Sequence, residues 1–261
     1  MTDTMTTTTL PTMLRSLRLP SFVAHYLDVA AKATAEHATY EQYLHHLAEI
    51  EHTERRQRRI DKNLRASNLP REKTLAQMDL AKVPTTVRRL VPTLCEGGFA
   101  DRAENILIFG LPGRGKSHTA CAIGHELVLR GMTVYFTPAF KLVQRLLVAR
   151  RDLKMERELH RLDAFDVMII DDLGYIQQDR DEMEVLFTLL AERYERRSVI
   201  ITSNLVFSQW DRIFKDPMTT AAAVDRMVHH SIILEMNGKS VRAEEAMGRT
   251  DVATTAQGVS L

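Results

Sequence analysis

Short apolar runs rich in β-branched residues punctuate the second half of the chain: NILIFG from Asn105, MTVYF from Met132, FDVMIID from Phe165, RSVIITSN from Arg197 and HSIILEM from His230. Each is separated from the next by a segment long enough for a helix, and strands buried on both faces read as such unbroken runs. The alternation predicts an α/β fold, a parallel five-stranded sheet between helices. From Met13 to about Leu64 the texture differs. Apolar residues recur every three or four positions, as at Tyr40, Tyr43, Leu44, Leu47 and Ile50, with no glycine among them. This predicts a small all-helical module, with helix starts at Pro20 and after Thr39, where Glu41 and Gln42 follow.

Between the two textures, Pro70, Pro84, Pro92 and Gly97-Gly98 indicate turns and short helices. The expected organisation is a helical N-terminal domain over 1–66 serving DNA or partner contacts and oligomerisation, a linker and lead-in over 67–103, the α/β domain over 104–245 and a flexible tail over 246–261. The Thr-rich start, MTDTMTTTTL, and the tail DVATTAQGVSL read as frayed ends. Asn237-Gly238 is a turn signal that folds Ser240, Val241 and Arg242 back as a hairpin.

A chain of 261 residues accommodates one nucleotide-binding domain and a small extra module, and 44% apolar with 26% charged residues is the composition of an ordinary globular protein. The net charge of +1 hides basic clusters in 55–73 and 141–161 and an acidic one in 179–195. Two cysteines, Cys95 and Cys121, are too few for a disulfide framework and read as small buried hydrophobes, which fits a reducing compartment. Without a membrane-length apolar run or a signal-peptide pattern, the expected location is cytoplasmic, with no membrane partner.

Gly110-Leu111-Pro112-Gly113-Arg114-Gly115-Lys116-Ser117-His118 satisfies G-x-x-x-x-G-K-[ST], directly after one apolar run and before the helical stretch HTACAIGHELVLR. Small residues let backbone N–H groups wrap phosphates, and the following helix adds its positive end. Lys116 is expected to reach the β- and γ-phosphates of ATP, and Ser117 to ligate Mg²⁺. In VMIIDD, Asp171 is placed to hold the metal and Asp172 to polarise an attacking water. Asp172 stands where such sites more often carry Glu. The next run ends in Ser203-Asn204, so Asn204 either orients the water or simply forms a turn. Loop, acidic strand end and polar strand end together point to a motor-type ATPase rather than a kinase, which needs an arginine-bearing lid over a small acceptor. In ERRQRRIDKNLR, Arg55, Arg56 and Arg59 form either a solvated helix surface or a phosphate-contacting arm.

GLPGRGKSHTACAIG, VMIIDDLGY, IITSNLVFSQW and AAAVDRMVHHSIILEMNGKSVR, with LRLPSFVAHYLD and KTLAQMDL before them, resemble the IstB family, AAA+ ATPase helpers of insertion-sequence transposases related to the helicase loader DnaC. The likeness covers roughly residues 10–245. It departs at Arg114, where the family commonly has a small or β-branched residue; a side chain pointing from the loop tip leaves phosphate cradling intact. The resemblance implies an AAA+ fold, an ATP-dependent oligomer on double-stranded DNA without sequence preference, nucleotides at subunit interfaces and a partner transposase. It implies that Arg226 is an arginine finger for the neighbour's γ-phosphate, with a plain Asp225-Arg226 surface pair as the alternative, and that Arg242 reaches nucleotide in cis. It also implies that PAFKLVQRLLVARRDLKMERELHRL is the extra helix of loader-type proteins, whose Lys141, Arg145, Arg150, Arg151 and Lys154 either track DNA phosphates or form a solvated face. No aromatic lies in 141–161, which favours duplex backbone contact over base stacking. The expected function is a transposition regulator that delivers target DNA and hydrolyses ATP slowly, under stimulation by DNA or transposase. The alternatives are a replicative helicase loader and a small-molecule phosphotransferase.

Overall fold

In the computed structural model, which describes residues 3–174, 180–205 and 230–237, the five apolar runs form strands β1 (Asn105–Phe109), β2 (Val134–Pro138), β3 (Val167–Leu173), β4 (Ser198–Ser203) and β5 (Ser231–Glu235). All their pairings are parallel, in the order β2-β3-β4-β1-β5. The C-terminal ends of β3, β4 and β1 therefore lie side by side, which brings three segments far apart in sequence to one edge.

Alternation along the strands divides the core. Leu107, Phe109, Met168, Ile170, Val199 and Ile201 pack with α7 (Ala139–Arg151), α8 (Met155–Asp163) and α9 (Arg180–Arg193) in one buried cluster. Strand neighbours point to the opposite face, where Ile169 meets α6 (Lys116–Leu129). Most of α6 is buried, between the sheet and α4 (Thr85–Glu96). Hence HTACAIGHELVL shows little polar face: a helix covered on most sides needs little. Each such Leu or Ile contributes about 1.5–3 kcal/mol by leaving water.

Two expectations change. The Thr-rich start is helical: α1 spans Asp3–Ser16, because the weak helix propensity of threonine, a few tenths of a kcal/mol per residue, does not outweigh the rest of the segment. The basic segment after Pro138 forms two helices instead of one. Five apolar residues of α7, Ala139, Leu142, Val143, Leu146 and Ala149, are buried, and the chain turns at Leu153 (φ 56°) before Lys154 caps α8. A short helix, α5 (Gly98–Asp101), leads into β1.

Arg193, in the last turn of α9, is 2% exposed and donates to the carbonyls of Leu162, Phe165, Asp166 and Ser198, tying α8 and the turn before β3 to the start of β4. Burial pushes its guanidinium down to about 10, still protonated at neutral pH.

The chain divides into two units, Met1–Lys62 and Asn63–Leu261. In the first, α2 (Pro20–Ala35) starts on proline, and α3 (Tyr40–Ala66) opens with a capping box. The Thr39 N–H donates to Gln42 Oε1 (2.8 Å) and the Gln42 N–H to Thr39 Oγ1 (3.2 Å). Buried Glu51 joins the two helices, accepting from the Ser21 N–H (2.9 Å) and from Arg55 and Arg58. Burial pushes the Glu51 carboxyl up, but the Ser21 and Arg55 contacts more than offset it and the net shift is downward. A lowered carboxyl contributes stability that is full above the ordinary value near ~4.3 and lost as pH falls through the folded value. Glu51→Gln should therefore destabilise this unit by about 1–3 kcal/mol at pH 7 and much less at pH 3. Amide exchange protection in α2 and α3 of the full chain reads the difference; an equal effect at both pH values would count against it.

Candidate functional site

The loop after β1 owes its path to two glycines. Gly110 has φ 154°, and a Cβ there would stand 2.7 Å from the Met236 carbonyl oxygen, so only glycine lets the end of β1 pass the end of β5. Gly115, at φ 81°, opens α6 in the left-handed region with no side-chain cap. The first N–H groups of α6 are thus left to an anion from outside the helix. Lys116 is the first residue of α6, 5% exposed, and its ammonium donates to the Leu111 carbonyl at 3.2 Å.

At the end of β3 the register slips. Ile170 pairs with Ile201 and Leu173 with Ser203, so β3 takes three steps where β4 takes two. The extra residue is accommodated around Asp172, whose φ of 58° is one that Asp tolerates better than most residues. In a regular strand Asp171 and Asp172 would point to opposite faces; with the bulge, Asp171 is buried and Asp172 is exposed in the cleft. Thr202 on β4 fixes both. Its hydroxyl donates to Asp171 Oδ1 (2.7 Å) and accepts from the Asp172 N–H (2.8 Å). Ser203, one residue on, spends its hydroxyl on the Leu205 backbone, stiffening the turn from which Asn204 projects.

The loop residues 112–118, Asp172, Asn204 and Lys73 line one cleft of about 240 Å³. That is below the roughly 300 Å³ at which small-molecule pockets begin. The described walls therefore suit the phosphate end of a nucleotide, with the remainder at the rim. Their charge agrees: among the described lining residues, Lys73, Arg114 and Lys116 stand with one carboxylate, Asp172. No cage of three or more His, Cys, Asp or Glu exists among the described residues.

Most of the residues expected from sequence for the nucleotide site converge here. Pro112, Gly113, Arg114, Gly115, Lys116, Ser117, His118, Asp172 and Asn204 line the cleft, Asp171 lies buried beside it, and Gly110 and Leu111 form the loop's base. Arg114 is among the residues that line the cleft. The His118 ring bonds the Thr74 carbonyl (2.9 Å). Arg226 and Arg242, and the hairpin after Gly238, lie outside the described residues. Sequence reasoning missed Thr202, which reads as an ordinary strand threonine, and Lys73, which sits in the lead-in.

The basic residues divide. Arg55 bonds Glu51 and the Arg18 carbonyl, Arg145 pairs with Glu158 and Tyr135, Arg150 with Asp181 and Glu184, and Arg151 with Asp152. Lys141 lies 5.9 Å from the Phe140 ring centroid. Arg56, Arg59, Lys141 and Lys154 are exposed and in no ion pair among the described residues. Cys95 and Cys121 are buried free thiols, pushed by burial to about 11 and about 12, too high for thiolate chemistry at neutral pH. No described helix is long and apolar enough to cross a membrane.

A parallel sheet in this order, with the phosphate loop between β1 and α6 and paired carboxylates at the end of β3, defines a P-loop ATPase of the AAA+ type. Solved structures agree on the fold. The chain is similar to DnaI (TM-score 0.55, 21% identity, 65% of this chain and 95% of that one) and to AMPPCP-bound DnaA from Aquifex aeolicus (TM-score 0.53, 19% identity, 66% and 51%). The profile of the IstB-like ATP binding protein family matches residues 12–248, and the chain belongs to that family. Relatives include a putative insertion sequence ATP-binding protein of Sinorhizobium fredii (strain NBRC 101917 / NGR234), 43% identical over 95% of this chain and 86% of its own length. The IS21 putative ATP-binding protein of Pseudomonas aeruginosa is 34% identical over 90% of this chain and 89% of its own.

Proposed function

We propose that this protein is an ATP-dependent, DNA-binding regulator of transposition. It binds ATP with Mg²⁺, oligomerises on duplex DNA without sequence preference and delivers that DNA to a partner transposase; slow hydrolysis, stimulated by DNA or transposase, then releases it. The observation that carries the reading is the convergence of the loop, Asp172 and Asn204 on one cleft, with Asp171 beside it, in a chain whose relatives are insertion-sequence proteins over nine-tenths of its length. Likeness to DnaI is one of fold, so it does not favour a helicase loader.

In the site, Lys116 and the N–H groups at the start of α6 bind phosphate oxygens, and Asn204 orients a water from which Asp172 takes the proton. Ser117 and Asp171 would hold Mg²⁺, which when bound would neutralise charge on the phosphates. Arg226 serves a neighbouring subunit's nucleotide and Arg242 its own. DNA phosphates are met by the cations not engaged in the fold, Arg56, Arg59, Lys141 and Lys154, with Arg55, Arg145, Arg150 and Arg151 reaching DNA only by exchanging their partners. DNA retention measured with and without ATP tests the reading. Wild type should need ATP and Lys116→Ala should fail either way; equal, nucleotide-independent binding by both would overturn it.

Thr202→Val keeps the shape of the strand and removes the hydroxyl that holds the Asp171 carboxylate and the Asp172 backbone N–H. It should lower Mg²⁺-supported turnover roughly ten- to a hundredfold, the usual effect of losing a group that orients a ligand. A magnesium titration of phosphate release would show the midpoint moved upward; an unmoved midpoint with full turnover would exclude the role.

A further inference from the structure

The lead-in from residue 67 to 74 runs along α6 as a strap. At its start, the Ser67 carbonyl accepts the N–H of Phe136 on edge strand β2 (2.7 Å). Leu69, 8% exposed, then seats against Gly124, where a Cβ would come within 3.2 Å of Leu69 Cδ2 and 2.7 Å of Ile169 Cδ1. The Pro70 carbonyl bonds His125 Nε2, and the Thr74 carbonyl bonds His118 Nε2, both at 2.9 Å. A carbonyl only accepts, so each ring presents its Nε2–H. His118 and His125 stand two helical turns apart on one side of α6, and between the carbonyls they hold lies Lys73. Its N–H closes a turn onto Pro70 (3.2 Å), and its side chain lines the phosphate cleft with Lys116 and Ser117. The Lys73 ammonium makes no hydrogen bond or ion pair among the described residues. Among the described residues, the cleft thus gathers three cations, Lys73, Arg114 and Lys116, and one lining carboxylate, a balance of charge that favours a polyanion.

We infer that Lys73 is a nucleotide-binding residue whose ammonium takes the phosphate chain of ATP, and that His118 and His125 are positioning residues that hold the strap carrying it. This rests on the ATP site proposed above and adds to it a contact from outside the loop motif.

Calorimetric titration of the full chain with Mg²⁺-ATP and with Mg²⁺-GTP tests it. Lys73→Ala should weaken both nucleotides equally, by roughly ten- to a hundredfold, the effect of one charge-assisted hydrogen bond, while Lys73→Arg should stay close to wild type. Loss for ATP alone would mean a base contact and overturn the phosphate assignment. Unchanged binding by Lys73→Ala, alongside loss in Lys116→Ala, would overturn Lys73 and leave the site standing; failure of wild type to bind either nucleotide would overturn the site and this inference together. His125→Ala should weaken ATP as Lys73→Ala does, and the double variant no further, since both remove one contact. His125→Gln keeps a donor and should retain affinity. Additive losses would reduce His125 to a purely structural role.

Discussion

Lys116→Ala is expected to weaken ATP binding by roughly a hundred- to ten-thousandfold while leaving the fold intact. The side chain is almost fully enclosed beneath the loop, and its ammonium is already directed to a loop oxygen, the Leu111 carbonyl. Phosphate oxygens are stronger acceptors than that carbonyl, and two charge-assisted hydrogen bonds at about 1.5–3 kcal/mol each, with tenfold per 1.4 kcal/mol, give the stated range. Lys116→Arg should not rescue: the planar guanidinium is wider than the space under the loop, and its fork replaces a point charge. Calorimetry gives the affinity and a thermal melt the control. An affinity within threefold of wild type, with an unchanged melt, would remove the loop from nucleotide binding.

The parts of this site that could be read from the sequence are those whose chemistry is local. Strands announce themselves because both faces are buried, so NILIF and VMIIDD carry their apolar character without interruption, and the loop motif is fixed by what a backbone turn around phosphate requires. Lys73 and Thr202 are different. Each acts through a partner distant in sequence: Lys73 reaches the cleft because Leu69 and two histidines fasten the strap to α6, and Thr202 matters because a bulge in β3 brings the Asp171 carboxylate and the Asp172 backbone N–H to one hydroxyl. The ion pairs of the basic segment are hidden for the same reason. Arg150 looks free until α9 supplies Asp181 and Glu184, and Arg145 until α8 turns back to bring Glu158. A buried arginine such as Arg193 is equally hidden, because a basic residue in a helix's last turn also suits solvent.

Asp172→Asn should abolish ATP hydrolysis while preserving ATP binding, with a fall in turnover of roughly 10²- to 10⁴-fold, the range for removing a general base. The substitution is unusually clean at this position. Asn is isosteric with Asp and tolerates the left-handed φ of 58° that the bulge imposes, and the backbone N–H that Thr202 accepts from is unchanged. What is lost is the carboxylate charge and its basicity. Because that charge also repels the γ-phosphate, affinity for ATP should hold or tighten, which separates this variant from Lys116→Ala, where affinity collapses. Under the proposed cycle, hydrolysis releases the protein from DNA, so the variant should remain on duplex DNA with ATP long after wild type has dissociated. Single-turnover phosphate release and a DNA dissociation time course measure the two effects. Turnover within a few-fold of wild type would assign the base to another residue. Lost turnover with wild-type dissociation would keep Asp172 as the base and separate DNA release from hydrolysis.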